Sequence, residues 1–313
     1  MTNKKIVVVG SSNTDMIIKA ARIPKPGETV LGGAFSMAAG GKGANQAVAT
    51  ARAGGKVVFV ARVGEDFFGE RAIKHFVADQ IDVTFIEKDK ELPSGIALIF
   101  VGEQGENSIA VAAGANAKLS KADIAKCSET IASAEILLMQ LETPLETVQA
   151  AAEIASSNGV KVILNPAPAR KLSPELLRLA SIITPNEFEA EVLTGIEIRD
   201  DEAAGRAADA LLAQGVGTAI ITLGARGAFL AGGNVREVIP GYQVHAVDTT
   251  GAGDVFNGAL AVALSEEKTL PEAVSFANAA AAISVTKLGA QPSIPRRKEI
   301  DSFIASRAAA STP

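Results

Sequence analysis

The chain is poor in the residues that build several common kinds of site. It has a single cysteine, Cys127, which excludes an internal disulfide and a cysteine zinc cluster. Its two histidines, His75 and His245, are far apart in sequence, which weighs against a histidine metal site and a Ser-His-Asp triad. Tryptophan is absent and there is one tyrosine, so little is available to stack a nucleoside base. The net charge is −5 with Lys and Arg scattered among acids, so no basic stripe can follow a nucleic-acid backbone. No apolar run reaches transmembrane length and Met1 to Lys5 carries no signal-peptide pattern, so a soluble, cytoplasmic protein is expected. A Walker A motif and a full Gly-x-Gly-x-x-Gly are also missing, the latter weighing against a nicotinamide dehydrogenase.

What remains is an apolar fraction of 48% over 313 residues, enough to bury a substantial core. Ile6 to Val9 is a β-branched run ending at Gly10, the pattern of a strand buried on both faces of a parallel sheet. Strands at Lys56–Val63, Ile136–Leu141, Lys161–Leu164, Ser181–Thr184 and Thr218–Ile221 alternate with helical periods at Asn45–Ala53, Gly69–Gln80, Lys121–Ala132, Pro144–Ser157, Pro174–Ala180 and Asp201–Ala213. This alternation predicts an α/β fold with a doubly wound, mostly parallel central sheet and helices on both faces. Capping boxes are expected at Thr143-Pro144-Leu145-Glu146 and Thr269-Leu270-Pro271-Glu272, the latter opening a helix Leu270–Val285, and a Ser cap with proline at Ser173-Pro174. A last helix is expected over Arg296–Ser306. Gly95–Val101 and Ser108–Ala112 read as a hairpin, either at the edge of the main sheet or, with the Ile23–Phe35 segment, as part of a small β-sheet lid.

Ligands of such sheets gather where strands end, and several polar clusters fall there. Ser11-Ser12-Asn13-Thr14-Asp15 follows the first strand and reads as an Asx turn or as groups for sugar hydroxyls. Gly40-Gly41-Lys42-Gly43-Ala44-Asn45 precedes a helix and lets a ligand approach the backbone. Glu142, Asn186 with Glu189, and Thr222-Leu223-Gly224-Ala225-Arg226-Gly227 also follow strands. Their ordinary readings are a loop acid, a helix-dipole complement and a turn.

The central stretch is Asp248-Thr249-Thr250-Gly251-Ala252-Gly253-Asp254, expected between a strand at Tyr242–Val247 and a helix at Val255–Ser265. Bare N–H groups of the glycine turn, backed by the helix dipole, suit an oxyanion. Asp254 beside them is either a helix cap or a general base.

The motifs Gly40-Gly41-Lys42-Gly43-Ala44-Asn45 and Asp248-Thr249-Thr250-Gly251-Ala252-Gly253-Asp254 occur about two hundred residues apart, with the other strand-end residues before and between them. On these residues the whole chain resembles the ribokinase-like (phosphofructokinase B) family of carbohydrate kinases. The resemblance implies one domain over 1–313, with lid strands drawn from about 13–40 and 94–113. It implies ATP-dependent phosphorylation of D-ribose at O5. The same chemistry on deoxyribose, a ketohexose or adenosine is the alternative, and a non-catalytic sugar-binding protein a further one. Asp254 would be the base and Gly251, Ala252, Gly253 and Asp254 the anion hole. Asn13, Asp15, Gly41, Lys42, Asn45 and Glu142 would hold the sugar. Asn186, Glu189, Thr222, Gly224, Gly227, Gly253 and Asn278 would serve ATP, with Glu189 helping to place Mg²⁺. Asp248, Thr250, Ser284, Lys287, Gly289 and Ser293 would surround K⁺, Lys287 through its carbonyl. The resemblance also implies a homodimer formed through the lid.

Overall fold

A computed structural model describes residues 4–310. Among them thirteen strands form two sheets: β1 (Lys5–Val9), β2 (Asn13–Lys19), β3 (Ala34–Gly40), β4 (Lys56–Gly64), β5 (Ile86–Asp89), β6 (Gly95–Val101), β7 (Asn107–Ala112), β8 (Ile136–Met139), β9 (Lys161–Leu164), β10 (Ile182–Ile183), β11 (Thr218–Thr222), β12 (Gly227–Gly232) and β13 (Val235–Pro240). The large sheet has the order β13-β12-β11-β10-β9-β8-β1-β4-β5. It is parallel from β11 to β5, and β12 and β13 extend it antiparallel. The direction in which strands are added reverses at β1, and the carboxyl end of a strand at such a reversal is a natural crevice for ligands.

Both faces of the sheet are covered because its inner strands carry consecutive apolar residues, so that side chains of both orientations need burial. Ile6 and Val8 join a core with Ala44, Val48, Leu260 and Ala277 from helices Lys42–Arg52, Ala252–Ser265 and Leu270–Ser284. Val7 and Val9 point the other way, to Leu119, Ile131, Val148 and Ala152. Helices Lys42–Arg52 and Ala252–Ser265 come together at Gly258, where a Cβ would stand 2.6 Å from Ala49 Cβ and 2.7 Å from Thr50 N. Only glycine permits that backbone approach.

The chain leaves β1 for the small sheet, of order β3-β2-β6-β7. Here β2 is antiparallel to β3 and parallel to β6, and β6 and β7 form the expected hairpin. The hairpin therefore belongs to this small sheet and not to the edge of the large one. Asn13 and Asp15, one reading of which was an Asx turn, lie instead in strand β2. Most of the Ile23–Phe35 segment is irregular, and the strands flank it.

Other expectations need correction. Tyr242–Val247 is not a strand: the N–H groups of Val247 and Asp248 donate to Val285 O, and the Tyr242 ring packs on Phe303, so helices hold this segment. The capping box at Thr143 does not form, because Pro144 takes the N-cap position in an extended conformation and Thr143 is buried with its hydroxyl unpaired. The helix at Lys121–Ala132 is interrupted at Cys127. The boxes at Thr269 and the cap at Ser173 are present. Strands β5, β12 and β13 carried no clear signal in the sequence. No helix among the described residues is long and apolar enough to cross a membrane.

Candidate active site

Gly251 is the N-cap of helix Ala252–Ser265, with φ 75° and ψ 3°. That left-handed conformation favours glycine, and a Cβ would also meet Ala290 Cβ at 3.1 Å. Ala252 N donates back to Thr249 O and Val255 N to Gly251 O. The N–H groups of Gly253 and Asp254, in the first helical turn, have no acceptor within the helix and form the positive end of its dipole. No side chain caps this helix, so neither Thr249, Thr250 nor Asp254 acts as a cap.

The Asp254 carboxylate turns inward and is 5% exposed. One oxygen accepts from Asn45 Nδ2 at 2.9 Å and the other from Gln46 Nε2 at 3.0 Å, both from helix Lys42–Arg52. Burial raises its pKa above the ordinary carboxylate value, opposed by the nearby Lys42 ammonium and the two amide donors. Lys42 itself is desolvated, yet the carboxylates of Asp254, Glu142 and Glu189 hold its pKa above the usual value.

The predicted sugar residues converge here from the carboxyl end of β1, from β2 and from the start of helix Lys42–Arg52. Glu142 accepts from Ser11 Oγ at 2.5 Å and from Lys42 N at 2.9 Å, which ties the end of β8 to the glycine motif. Gly41 has φ 88°, and a Cβ there would lie 2.7 Å from Asn13 N. Asp15 has its pKa raised to about 6 by burial, with Glu142 and Asp254 adding repulsion. Asn116, which the sequence did not single out, orients Asn13. Its Nδ2 donates to Asn13 Oδ1 at 2.8 Å, and Asn116 is itself fixed by Ser12 N donating to its Oδ1 at 2.9 Å. Asn13 Nδ2 is thereby left as a donor. Asn45 Oδ1 is buried without any partner, an acceptor waiting for a hydroxyl donor.

Across the glycine turn lies a groove of about 250 Å³. Thr222, Gly224, Gly227, Gly253 and Asn278 all line it, with Val244, Ala246, Ala281 and Val285 as apolar wall. Asn186 and Glu189 are not in this lining. They cap helix Glu187–Thr194 reciprocally, Asn186 N donating to Glu189 Oε2 at 2.9 Å and Glu189 N to Asn186 Oδ1 at 2.8 Å. Asn186 bridges to Thr222, so the pair sits at the groove's edge. Glu189 is 7% exposed and burial raises its pKa.

Behind the turn, Asp248 accepts from Thr250 N at 2.9 Å and from Gly289 N at 2.8 Å, joining the turn to the 287–293 segment. That segment includes a one-turn helix, Ala290–Ser293, where only a loop was expected. The Lys287 ammonium turns away to Glu299 at 2.9 Å. The hydroxyls of Ser284 and Ser293 donate to carbonyls of their own turns, Ala281 O and Ala290 O. What they can offer an ion is carbonyl oxygen.

Comparisons with known proteins place the whole chain among sugar kinases in sequence and fold. A ribokinase of Haemophilus influenzae is 50% identical over 301 residues, which is 96% of this chain and 98% of that protein. A deoxyribokinase of Salmonella typhi is 37% identical over 300 residues, covering 96% of this chain and 98% of that one. Among solved structures, a ribokinase of Thermotoga maritima matches with a TM-score of 0.88 at 42% identity, covering 96% of this chain and 99% of that one. Arabidopsis thaliana ribokinase complexed with ribose and ATP gives a TM-score of 0.88 at 34% identity, covering 97% and 99%. The sequence pattern of the pfkB family carbohydrate kinases matches residues 3–297, and the chain belongs to that family.

Proposed function

We propose that the protein phosphorylates D-ribose at O5 with ATP, giving D-ribose 5-phosphate and ADP. The observation that carries this reading is the Asp254 carboxylate, buried between a cluster of hydroxyl-binding side chains and a glycine turn that opens on an apolar groove. Asp254 accepts the proton of the acceptor hydroxyl as that oxygen bonds to the γ-phosphorus and the bond to the ADP oxygen breaks. The N–H groups of Gly253 and Asp254 hold the charge that develops on the transferring group. Asn45 Oδ1 and Asn13 Nδ2 suit sugar hydroxyls, and Thr222, Gly224, Gly227 and Asn278 form the nucleotide's surroundings.

Mg²⁺, when bound, offsets the phosphate charge. Glu189 uses one oxygen in its capping box, which leaves the other for a metal-bound water. A K⁺ ion fits between Asp248 and the 284–293 carbonyls, since Asp248 already draws these segments together and the Lys287 ammonium is elsewhere. Its effect would fall on the order of the turn. A homodimer through the small sheet is consistent with Ile18, Phe35, Met37 and Leu98, which share one face and are all exposed. A cytoplasmic location fits these substrates.

Deoxyribose is the second reading, favoured by the 37% identity to a deoxyribokinase. Turnover with ATP, Mg²⁺ and K⁺ over ribose, 2-deoxyribose, fructose and adenosine decides between them. Ribose should have the highest kcat/KM, and any other acceptor in first place overturns the assignment.

A further inference from the structure

Beneath Asp254 runs a chain of buried amides that the reaction does not touch. Gln46 Nε2 donates to Asp254 Oδ1 at 3.0 Å and to Asn165 Oδ1 at 3.0 Å, and Gln46 Oε1 accepts from Gln140 Nε2 at 2.6 Å. Asn165 Nδ2 donates to Thr184 O at 3.0 Å. Thr184 Oγ1 donates to Asn257 Oδ1 at 2.6 Å, and Asn257 Nδ2 to Gly253 O at 2.8 Å. Gln46 and Gln140 are 0% exposed, Asn257 and Thr184 1%.

The direction of this chain is imposed from both ends. A backbone carbonyl only accepts, so Asn165 must present its NH₂ to Thr184 and its oxygen to Gln46. A carboxylate likewise only accepts, so Gln46 must present its NH₂ to Asp254. The two requirements agree, and turning any one amide over would set oxygen against oxygen in a dry interior. Gln140 adds a third constraint, and Gly10 leaves the room for it, since a Cβ there would collide with its Oε1 at 2.1 Å.

We propose that Thr184, at the end of β10, is a common anchor: through Asn165 and Gln46 it positions the Asp254 carboxylate, and through Asn257 it positions the Gly253 carbonyl of the phosphoryl-binding turn. Gln46 and Asn165 are then positioning residues, which keep the base oriented and fix its distance from the turn. This rests on Asp254 being the base. The charges facing Asp254 are Lys42, Glu142, Asp15 and Glu189, three acids against one base. Donation from Gln46 is one of the few contacts that favour its ionised form.

The test is the acid limb of kcat/KM in Gln46→Met, Asn165→Leu and the double variant, with sugar binding followed by calorimetry. Losing a hydrogen bond to a charged group should move the limb of Gln46→Met toward alkaline pH by about one unit. Sugar affinity should stay within about threefold, since neither residue meets the sugar. Asn165→Leu, which does not touch Asp254, should shift the limb the same way by less. The double variant should match Gln46→Met alone, because Asn165 acts through Gln46. A wild-type acid limb in both single variants overturns the proposal. So does a loss of rate that is uniform in pH, or a double variant in which the two shifts add. If Asp254→Asn keeps full turnover in the same series, the base assignment fails instead, a result these variants leave distinct.

Discussion

The proposed acceptor end and the proposed nucleotide groove, one on each side of the Gly251 turn, are made of different materials. At the acceptor end, Asn13, Asn45 and Glu142 each have a protein partner and still present a polar atom. The groove has mostly glycine backbone and apolar wall, with Asn278 already donating to Ile239 O and Pro240 O. Desolvated, preoriented polar atoms penalise a ligand that lacks the matching hydroxyl, whereas an apolar wall accepts whatever fits. Selectivity should therefore be concentrated at the acceptor end, and the groove should tolerate change.

The turn serves both sides, so its loss should be the largest effect. Asp254→Asn should lower kcat by roughly 10²–10⁴-fold while both KM values stay near those of the parent, read by steady-state kinetics. A change confined to KM would deny it the role of base. Next, Asn13→Ala should cost about a hundredfold in kcat/KM for the acceptor and leave the KM for ATP nearly unchanged. Asn278→Ala should do the reverse and more weakly, raising the KM for ATP by less than about tenfold. If both variants disturb both substrates equally, the division between the two sides is not real.

The smallest effect concerns stability. Asp15 has a folded pKa of about 6, above the usual carboxylate value, so the folded state holds its proton at a pH where the unfolded chain has lost it. Stability from this group is therefore lost as pH rises through that interval. Asp15→Asn should raise the melting temperature of the ligand-free protein at pH 8 by a few degrees, and the gain should vanish below about pH 4. A melting temperature equally changed at both pH values would mean that packing, not charge, is responsible.

Much of this could be read from the chain itself. The run Ile6 to Val9 gave away a doubly covered strand, and Gly41 and Gly251 marked backbone that other residues resist, because these signals are local. Gln46 could not be found this way. In the sequence it is one helix former among several, and its partners at Gln140, Asn165 and Asp254 come from separate elements. Tyr242–Val247 had the alternation of a strand, but its contacts go to helices, the N–H of Val247 to Val285 O and the Tyr242 ring to Phe303. β12 was hidden because its first residue, Gly227, closes the stretch Thr222 to Gly227 that reads as a turn, and only the pairing with β11 and β13 reveals the strand. Thr143 had the letters of a capping box, but Pro144 started the helix one residue late.

The contact at Gly258 has a consequence for how the protein comes into being. It clamps the helix bearing Asn45 and Gln46 to the one bearing Asp254, and the Gln46–Asp254 bond spans 208 residues of sequence. During synthesis Asn45 and Gln46 must wait for their shared partner, the Asp254 carboxylate, until the second half of the chain is made. Long-range closures of this kind come late in folding. Catalytic competence would then be among the last properties the nascent chain acquires, and turnover would serve as a readout of finished assembly.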